Sequence, residues 1–342
     1  MDSYLVAVAN SKDGSISMFG LDGAALNPIA LNEVGGPGMP LAVDASRGLV
    51  FAGSSDPAGV HVLRLDRDSG HLEPISWHPG HAAPTYLTLT ADGSLLLSAS
   101  YHGGLGEVWR VGPDGELGPA GDPVWYRNMH SVQATVDGRF AYFVSLRDDL
   151  IAQYALGADG TLTPLDVPTV PAPIRSGPRH LIFDAEQTSV YVITEYSGEV
   201  LHYRRDEETG QLTPVSATRC VPDDSPLQHS RFGADPRSEG LIWCSDLHLD
   251  EAGSRLFCAE RTNATITALE IADDGTVGAA TAHSMVVAQP RGFAVLPSGD
   301  LLVASEIDHQ VGLYRPDEDG SLVERVAFPA GLGAYWIEVI PR

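Results

Sequence analysis

Apolar positions along this chain fall in short alternating runs separated by polar turns. A strand-like run is followed by Ala91-Asp92-Gly93-Ser94, Val136-Asp137-Gly138 or Pro297-Ser298-Gly299-Asp300. A second apolar run comes next, at Leu95-Leu96-Leu97, Ala141-Tyr142-Phe143-Val144 or Leu301-Leu302-Val303. The pattern predicts β-hairpins. A third run, seen in Leu150 to Tyr154 and Val200 to Tyr203, enters a turn of the form Gly-x-Leu/Val, loosened to Gly-x-x-Leu at its first occurrence. A fourth run then leads to the next unit.

That turn recurs seven times, at Gly23, Gly70, Gly115, Gly160, Gly210, Gly275 and Gly320, with spacings of 47, 45, 45, 50, 65 and 45 residues. A period near 45 residues carried by β-branched and aromatic runs predicts an all-β, seven-bladed β-propeller with four antiparallel strands per blade. The chain begins at a second strand, Tyr4 to Val8, and finishes with an unpaired first-strand segment, Tyr335 to Ile340. Together the two ends complete one blade, a 1+3 closure that removes exposed sheet edges. The repeat runs through residues 1–342, which predicts one domain. The longest spacing marks an inserted loop at 214–243, containing Arg231, Arg237 and Trp243. Following a Gly-x-Leu turn and one more strand, it is expected on the same face as the site derived below, where either arginine could select the substrate's distal group.

Composition adds a soluble, turn-rich character, with 43% hydrophobic residues and 36 glycines. No apolar run of membrane-spanning length occurs, and Met1-Asp2-Ser3 lacks the basic flank of a secretory signal, so a cytoplasmic protein is expected. Cys220, Cys244 and Cys258 lack metal-ligand spacing and read as small buried hydrophobes. The histidines are scattered, so no metal and no cofactor is expected.

Charge narrows the partners. With 21 basic residues against 45 acidic ones the net charge is −24, which argues against nucleic acid or an anionic membrane. A monomer or weak homo-oligomer acting on a small molecule is expected. Lys12 is the only lysine, so cationic chemistry falls to arginine, whose planar fork recognises carboxylate or phosphate in a bidentate manner.

Propeller topology decides which of these cations can meet. Loops between blades, and loops between second and third strands, open on one face. First-strand starts bring His130, Arg179, His180 and Arg291 to that mouth. Second-strand ends bring His102, Arg147, Glu195 and Arg261, and His248 lies inside a first strand.

These residues resemble the seven-bladed lactonases typified by the propeller-type bacterial 6-phosphogluconolactonases, related to the fungal carboxymuconate cyclases. The resemblance rests on His130-Ser131, Gly177-Pro178-Arg179-His180, Thr194-Glu195, Asp246-Leu247-His248, Arg261-Thr262 and Gln289-Pro290-Arg291-Gly292-Phe293. It implies hydrolysis of an anionic sugar 1,5-lactone, with His130, Glu195, Arg179 and Arg261 catalytic. His248, Arg291, His180, Arg147 and Arg231 are expected to bind substrate. Two departures are Glu260 before Arg261, where the family more often has Asp, and acidic Glu306-Ile307-Asp308 in the seventh blade. The second weighs on a phosphorylated substrate more than on lactone chemistry. The base is either His130, which titrates near neutrality, or Glu195; a carboxylate flanked by arginines is the poorer base, so His130 is preferred. Water attack is preferred to an acyl-enzyme, because no G-x-S-x-G occurs. Alternatives are an aldaro-1,5-lactone hydrolase, a carboxymuconate cycloisomerase and a non-enzymatic binding propeller. A mouth rich in Arg, His and Glu favours small-anion chemistry over a protein-docking face.

Overall fold

The computed structural model describes residues 3–23 and 25–342. Its strands form seven separate antiparallel sheets, numbered here as blades 1 to 7. The innermost strand of blade 1 is Ala334–Pro341, and those of blades 2 to 7 are Leu41–Asp44, Tyr86–Leu89, Met129–Ala134, Pro178–Phe183, Cys244–Leu249 and Pro290–Val295. Each inner strand touches that of the next blade, and Ala334–Pro341 returns to Leu41–Asp44, which closes the ring. Blade 1 is the composite: Ala334–Pro341 pairs antiparallel with Ser3–Asn10, so the expected 1+3 closure is present.

The core lies between blades. Each apolar cluster joins neighbours, as where Leu5, Ala7 and Ile16 of blade 1 meet Leu41, Val50 and Leu63 of blade 2. All three cysteines are buried, in the cluster between blades 5 and 6, and the Sγ atoms of Cys220 and Cys244 are 4.0 Å apart.

The recurring Gly turn has a physical cause. All seven of its glycines hold φ between 60° and 91°, where an L side chain is strained. Most also pack on the preceding blade: a Cβ on Gly210 would stand 2.4 Å from Phe140, and one on Gly160 2.4 Å from Ala120. The glycine is therefore both turn and blade-to-blade contact.

A second regularity builds the mouth. The inner strands of blades 1, 4, 5, 6 and 7 each carry a register shift near their start, with one extra residue opposite the second strand. Such bulges re-aim side chains. The extra residues include His130, Arg179, Arg291 and Tyr335, between the paired positions Met129/Ser131, Pro178/His180, Pro290/Gly292 and Ala334/Trp336. In blade 6 the shift falls across Ser245 and Asp246.

Residues 214–219, expected within the inserted loop, belong to the regular outer strand Leu212–Arg219 of blade 5; the excursion from the sheet occupies 220–243. The ladder with Glu199–Arg205 continues through Arg219, with Ser216 and Thr218 half-buried between exposed Val215, Ala217 and Arg219. Among the described residues no helix is long and apolar enough to cross a membrane, and the one helix, Pro236–Glu239, sits in this excursion.

Candidate active site

A cavity of about 230 Å³ opens where the inner strands of blades 3 to 7 and blade 1 converge. Its wall includes His130, Arg179, His180, Asp246, His248 and Arg291. Arg179 and Arg261 are only 2% and 3% exposed, and both reach one carboxylate: Arg179 Nε donates to Glu195 Oε2 at 3.0 Å and Arg261 Nη2 to the same oxygen at 2.9 Å. Two guanidiniums on one carboxylate leave a surplus positive charge in a water-poor place, which favours an incoming anion.

Backbone carbonyls fix the pair further. Arg179 Nη1 donates to the Ser245 carbonyl, and Arg261 Nη2 to that of Cys244 at 3.2 Å. The Arg261 guanidinium also lies 3.7 Å from the centre of the Trp243 ring. Burial, with Arg179 and Arg291 nearby, draws Arg261 down to about 9, so it stays cationic at neutral pH. Glu260, one of the two departures, accepts from the backbone N–H groups of Trp243, Thr262 and Asn263 at 2.8, 3.0 and 2.7 Å. Its carboxylate thus shapes the loop that carries Arg261.

His130 is buried, and its Nδ1 has no hydrogen-bond partner. A buried ring nitrogen left without a protein partner is uncommon, and it marks His130 as the imidazole on this wall that structural hydrogen bonds do not hold. Burial, followed by the positive charge of Arg179 and, beyond it, of Arg291 and Arg261, pushes the imidazole well below its ordinary pKa, so it stands neutral. His180 is fully committed: Nδ1 lies 2.8 Å from Asp246 Oδ1 and Nε2 is 3.0 Å from Arg179 Nη1. Because Arg179 can only donate, Nε2 accepts, which makes His180 the neutral Nδ1–H tautomer. Its pKa, lowered to about 4 chiefly by burial and then by Arg179, agrees.

Asp246 ties the deeper wall together. Oδ1 also accepts from Leu247 N at 3.1 Å, and Oδ2 takes His248 Nε2 and Phe293 N, both at 3.3 Å. Burial acts to raise this carboxyl, but His248 and His180 hold it well below the usual range. The same partnership raises His248 despite its burial.

Of the residues expected from sequence, His130, Arg179, His180, His248 and Arg291 line the cavity. Glu195 and Arg261 stand behind Arg179 rather than on the lining. Arg291 Nη1 bonds Glu306 Oε1 at 2.9 Å, and Gln289 Nε2 bonds Glu306 Oε2 at 2.6 Å, so the acidic seventh-blade segment neutralises this cation. Arg147 is exposed and lies 4.1 Å from the centre of the Phe232 ring in the 220–243 excursion. Arg231 is turned to Glu239 at 2.6 Å within that excursion and does not line the cavity. Arg237 instead donates to Gln289 at 3.2 Å, so the excursion spans from blade 4 to blade 7 over the mouth. The sequence pattern gave Asp246 only as part of the Asp246-Leu247-His248 motif and did not single out Glu338; among the described residues no group of three or more potential ligands could hold a metal.

Residues 3–337 match the family described as lactonase, 7-bladed beta-propeller. The chain belongs to this family. Among relatives of this propeller lactonase family, the 6-phosphogluconolactonase of Serratia proteamaculans (strain 568) is 26% identical over 342 residues, covering 99% of each chain. That of Pectobacterium carotovorum subsp. carotovorum (strain PC1) is 28% identical, covering 98% of each. Among solved structures, the periplasmic gluconolactonase of Pseudomonas aeruginosa shares the fold with a TM-score of 0.86 at 23% identity, covering 99% of both chains.

Proposed function

We propose that this protein hydrolyses an anionic sugar 1,5-lactone to the open-chain acid, with 6-phosphoglucono-1,5-lactone as the leading substrate. The observation that carries the reading is the pairing of an unpartnered neutral imidazole, His130, with the buried Arg179 on one cavity wall of a lactonase-family propeller. In the reading, water held at His130 attacks the lactone carbonyl and gives its proton to the imidazole. Arg179 stabilises the tetrahedral oxyanion. The carbonyl-carbon bond to the ring oxygen then breaks, and the imidazolium returns the proton to that oxygen. Glu195 and Arg261 act through Arg179, holding its fork in place, so Glu195 is a positioning residue and not the base. No cofactor takes part, and the free buried thiols suit a cytoplasmic protein.

The Arg291–Glu306 pair supports a second substrate within the same chemistry. With Arg291 neutralised, a singly charged carboxylate is matched better than a phosphate dianion, as in an aldaro-1,5-lactone. Proton release measured in parallel on 6-phosphoglucono-, glucono- and galactaro-1,5-lactone decides between them. His130→Ala is expected to lower kcat about 10²- to 10⁴-fold, and Arg179→Ala about 10²- to 10³-fold. Unaltered turnover in both variants and in Glu195→Gln overturns this site.

A further inference from the structure

The inner strand that closes the ring carries one acidic residue amid an apolar run, in Tyr335-Trp336-Ile337-Glu338-Val339-Ile340. Glu338 lines the cavity below the arginines, near Asp246 and His248. It also borders a second cavity, of about 490 Å³, that opens through the turns of blades 2 and 3 at Asp44 and Asp92. Tyr86, Trp336 and Glu338 are common to both linings and form the floor between them.

One Glu338 oxygen is accounted for: Trp336 Nε1 donates to Oε1 at 2.9 Å. The other has no partner among the described residues, although every oxygen lone pair of neighbouring Asp246 is engaged by His180, His248 or the backbone. A carboxyl serving only the indole N–H could be any neutral acceptor. Placing an ionisable group there is costly unless its second oxygen has work. Around it stand aromatic surfaces: Trp336 and Tyr86 pack edge to face at 5.0 Å, and Phe293 packs on His248 at 4.7 Å. Apolar faces beside a small number of fixed polar atoms suit a sugar ring, whose C–H faces lie on aromatics while its hydroxyls need partners.

We propose that Glu338 is a specificity residue whose free carboxyl oxygen recognises ring hydroxyls of the lactone, with Trp336 as the adjoining wall, while the arginine mouth holds the anionic substituent. The inference rests on the lactonase reading and adds an orientation: hydroxylated face down, charged group up. A site that bonds a hydroxyl rejects the analogue lacking it, because its buried group is left unpaired. Burial pushes the carboxyl up to about 7, so near neutral pH protonated and ionised forms coexist and it can donate as well as accept.

The test compares glucono-1,5-lactone with δ-valerolactone, two neutral lactones that differ in hydroxyls and not in an anionic anchor. Wild type is expected to favour the hydroxylated lactone in kcat/KM. Glu338→Leu, which keeps the bulk and removes both oxygens, is expected to reduce that preference about 10- to 100-fold. Should it fail to fold by thermal melting, Glu338→Asp, one methylene shorter, reads the same ratio. A preference left unmoved, or equal losses on both lactones, overturns the assignment while the lactonase reading stands. No turnover of any lactone by wild type, including 6-phosphoglucono-1,5-lactone, sinks that reading and this inference with it.

Discussion

At the scale of single residues the site is a problem of unlike charges packed where water is scarce. The convergence of His130, Arg179, Glu195 and Arg261 was legible in sequence because topology places first-strand starts and second-strand ends at one mouth, whatever the side-chain details. Two facts were hidden. Which groups face the cavity and which stand behind depends on packing, so Glu195 and Arg261 could not be separated from Arg179 by position alone. Glu338 carried no spacing or repeat signal and was not singled out from sequence, although a carboxyl within an apolar strand is an anomaly. That anomaly has a pH signature of its own. Its folded-state value of about 7 lies above the ordinary 4.5, so the native state binds the extra proton between these two values. Stability therefore falls as pH rises through that window, by at most roughly 3 kcal/mol for this group. Glu338→Gln, which stays neutral, is expected to raise the melting temperature relative to wild type at pH 8 and to change it little at pH 4.5. An equal difference at both pH values contradicts the burial account.

At the scale of elements, turn and bulge divide the work of each blade. The Gly-x-Leu turns were readable because the left-handed conformation restricts residue choice, and the motif therefore survives as a repeat. The bulges at the mouth were not, since a single extra residue in an inner strand leaves no compositional mark, and the side chain it exposes can be His, Arg or Tyr. The inserted loop was located by repeat length alone, which cannot tell a continuing outer strand from the excursion that follows it. A turn glycine can carry two separate terms, backbone conformation and close packing. Gly138 holds φ 68° and a methyl added there would meet nothing within 4 Å, whereas Gly210 holds φ 74° and would press that methyl on Phe140. Gly138→Ala is expected to cost about 1 kcal/mol from the backbone alone. Gly210→Ala should cost about 1–3 kcal/mol more, because it also overpacks the blade 4–5 contact. Chemical denaturation of both variants checks the order, and equal losses would leave only the backbone term.

At the scale of the whole molecule, closure is both a stability device and the means by which the pocket is assembled. Residues Ala334–Pro341 cover the edge of Ser3–Asn10, touch the inner strands of blades 7 and 2, and bring Tyr335, Trp336 and Glu338 into the cavity. Removing residues 334–342 therefore exposes a sheet edge, strips a wall from the site and breaks the ring at once. Such a truncation is expected to be insoluble or unfolded and to lack lactone turnover. Loss of any essential strand could give that result, so a rearrangement is more telling. Arg342 N donates to the Ser3 carbonyl at 3.0 Å, which places the two ends within reach of a hairpin turn. A permutant that moves residues 334–342 ahead of Ser3 through a short Asn-Gly linker makes blade 1 contiguous and leaves the ring joined by packing alone at 333/334. It keeps every strand, cavity residue and inter-blade contact, so turnover should remain within a few-fold of wild type. What it loses is the covalent fastening of the last blade to the first; unfolding in denaturant should accelerate, because separating blades 7 and 1 no longer requires a strand to leave its sheet. A permutant that unfolds as slowly as wild type assigns the stabilising role to edge coverage rather than to covalent closure.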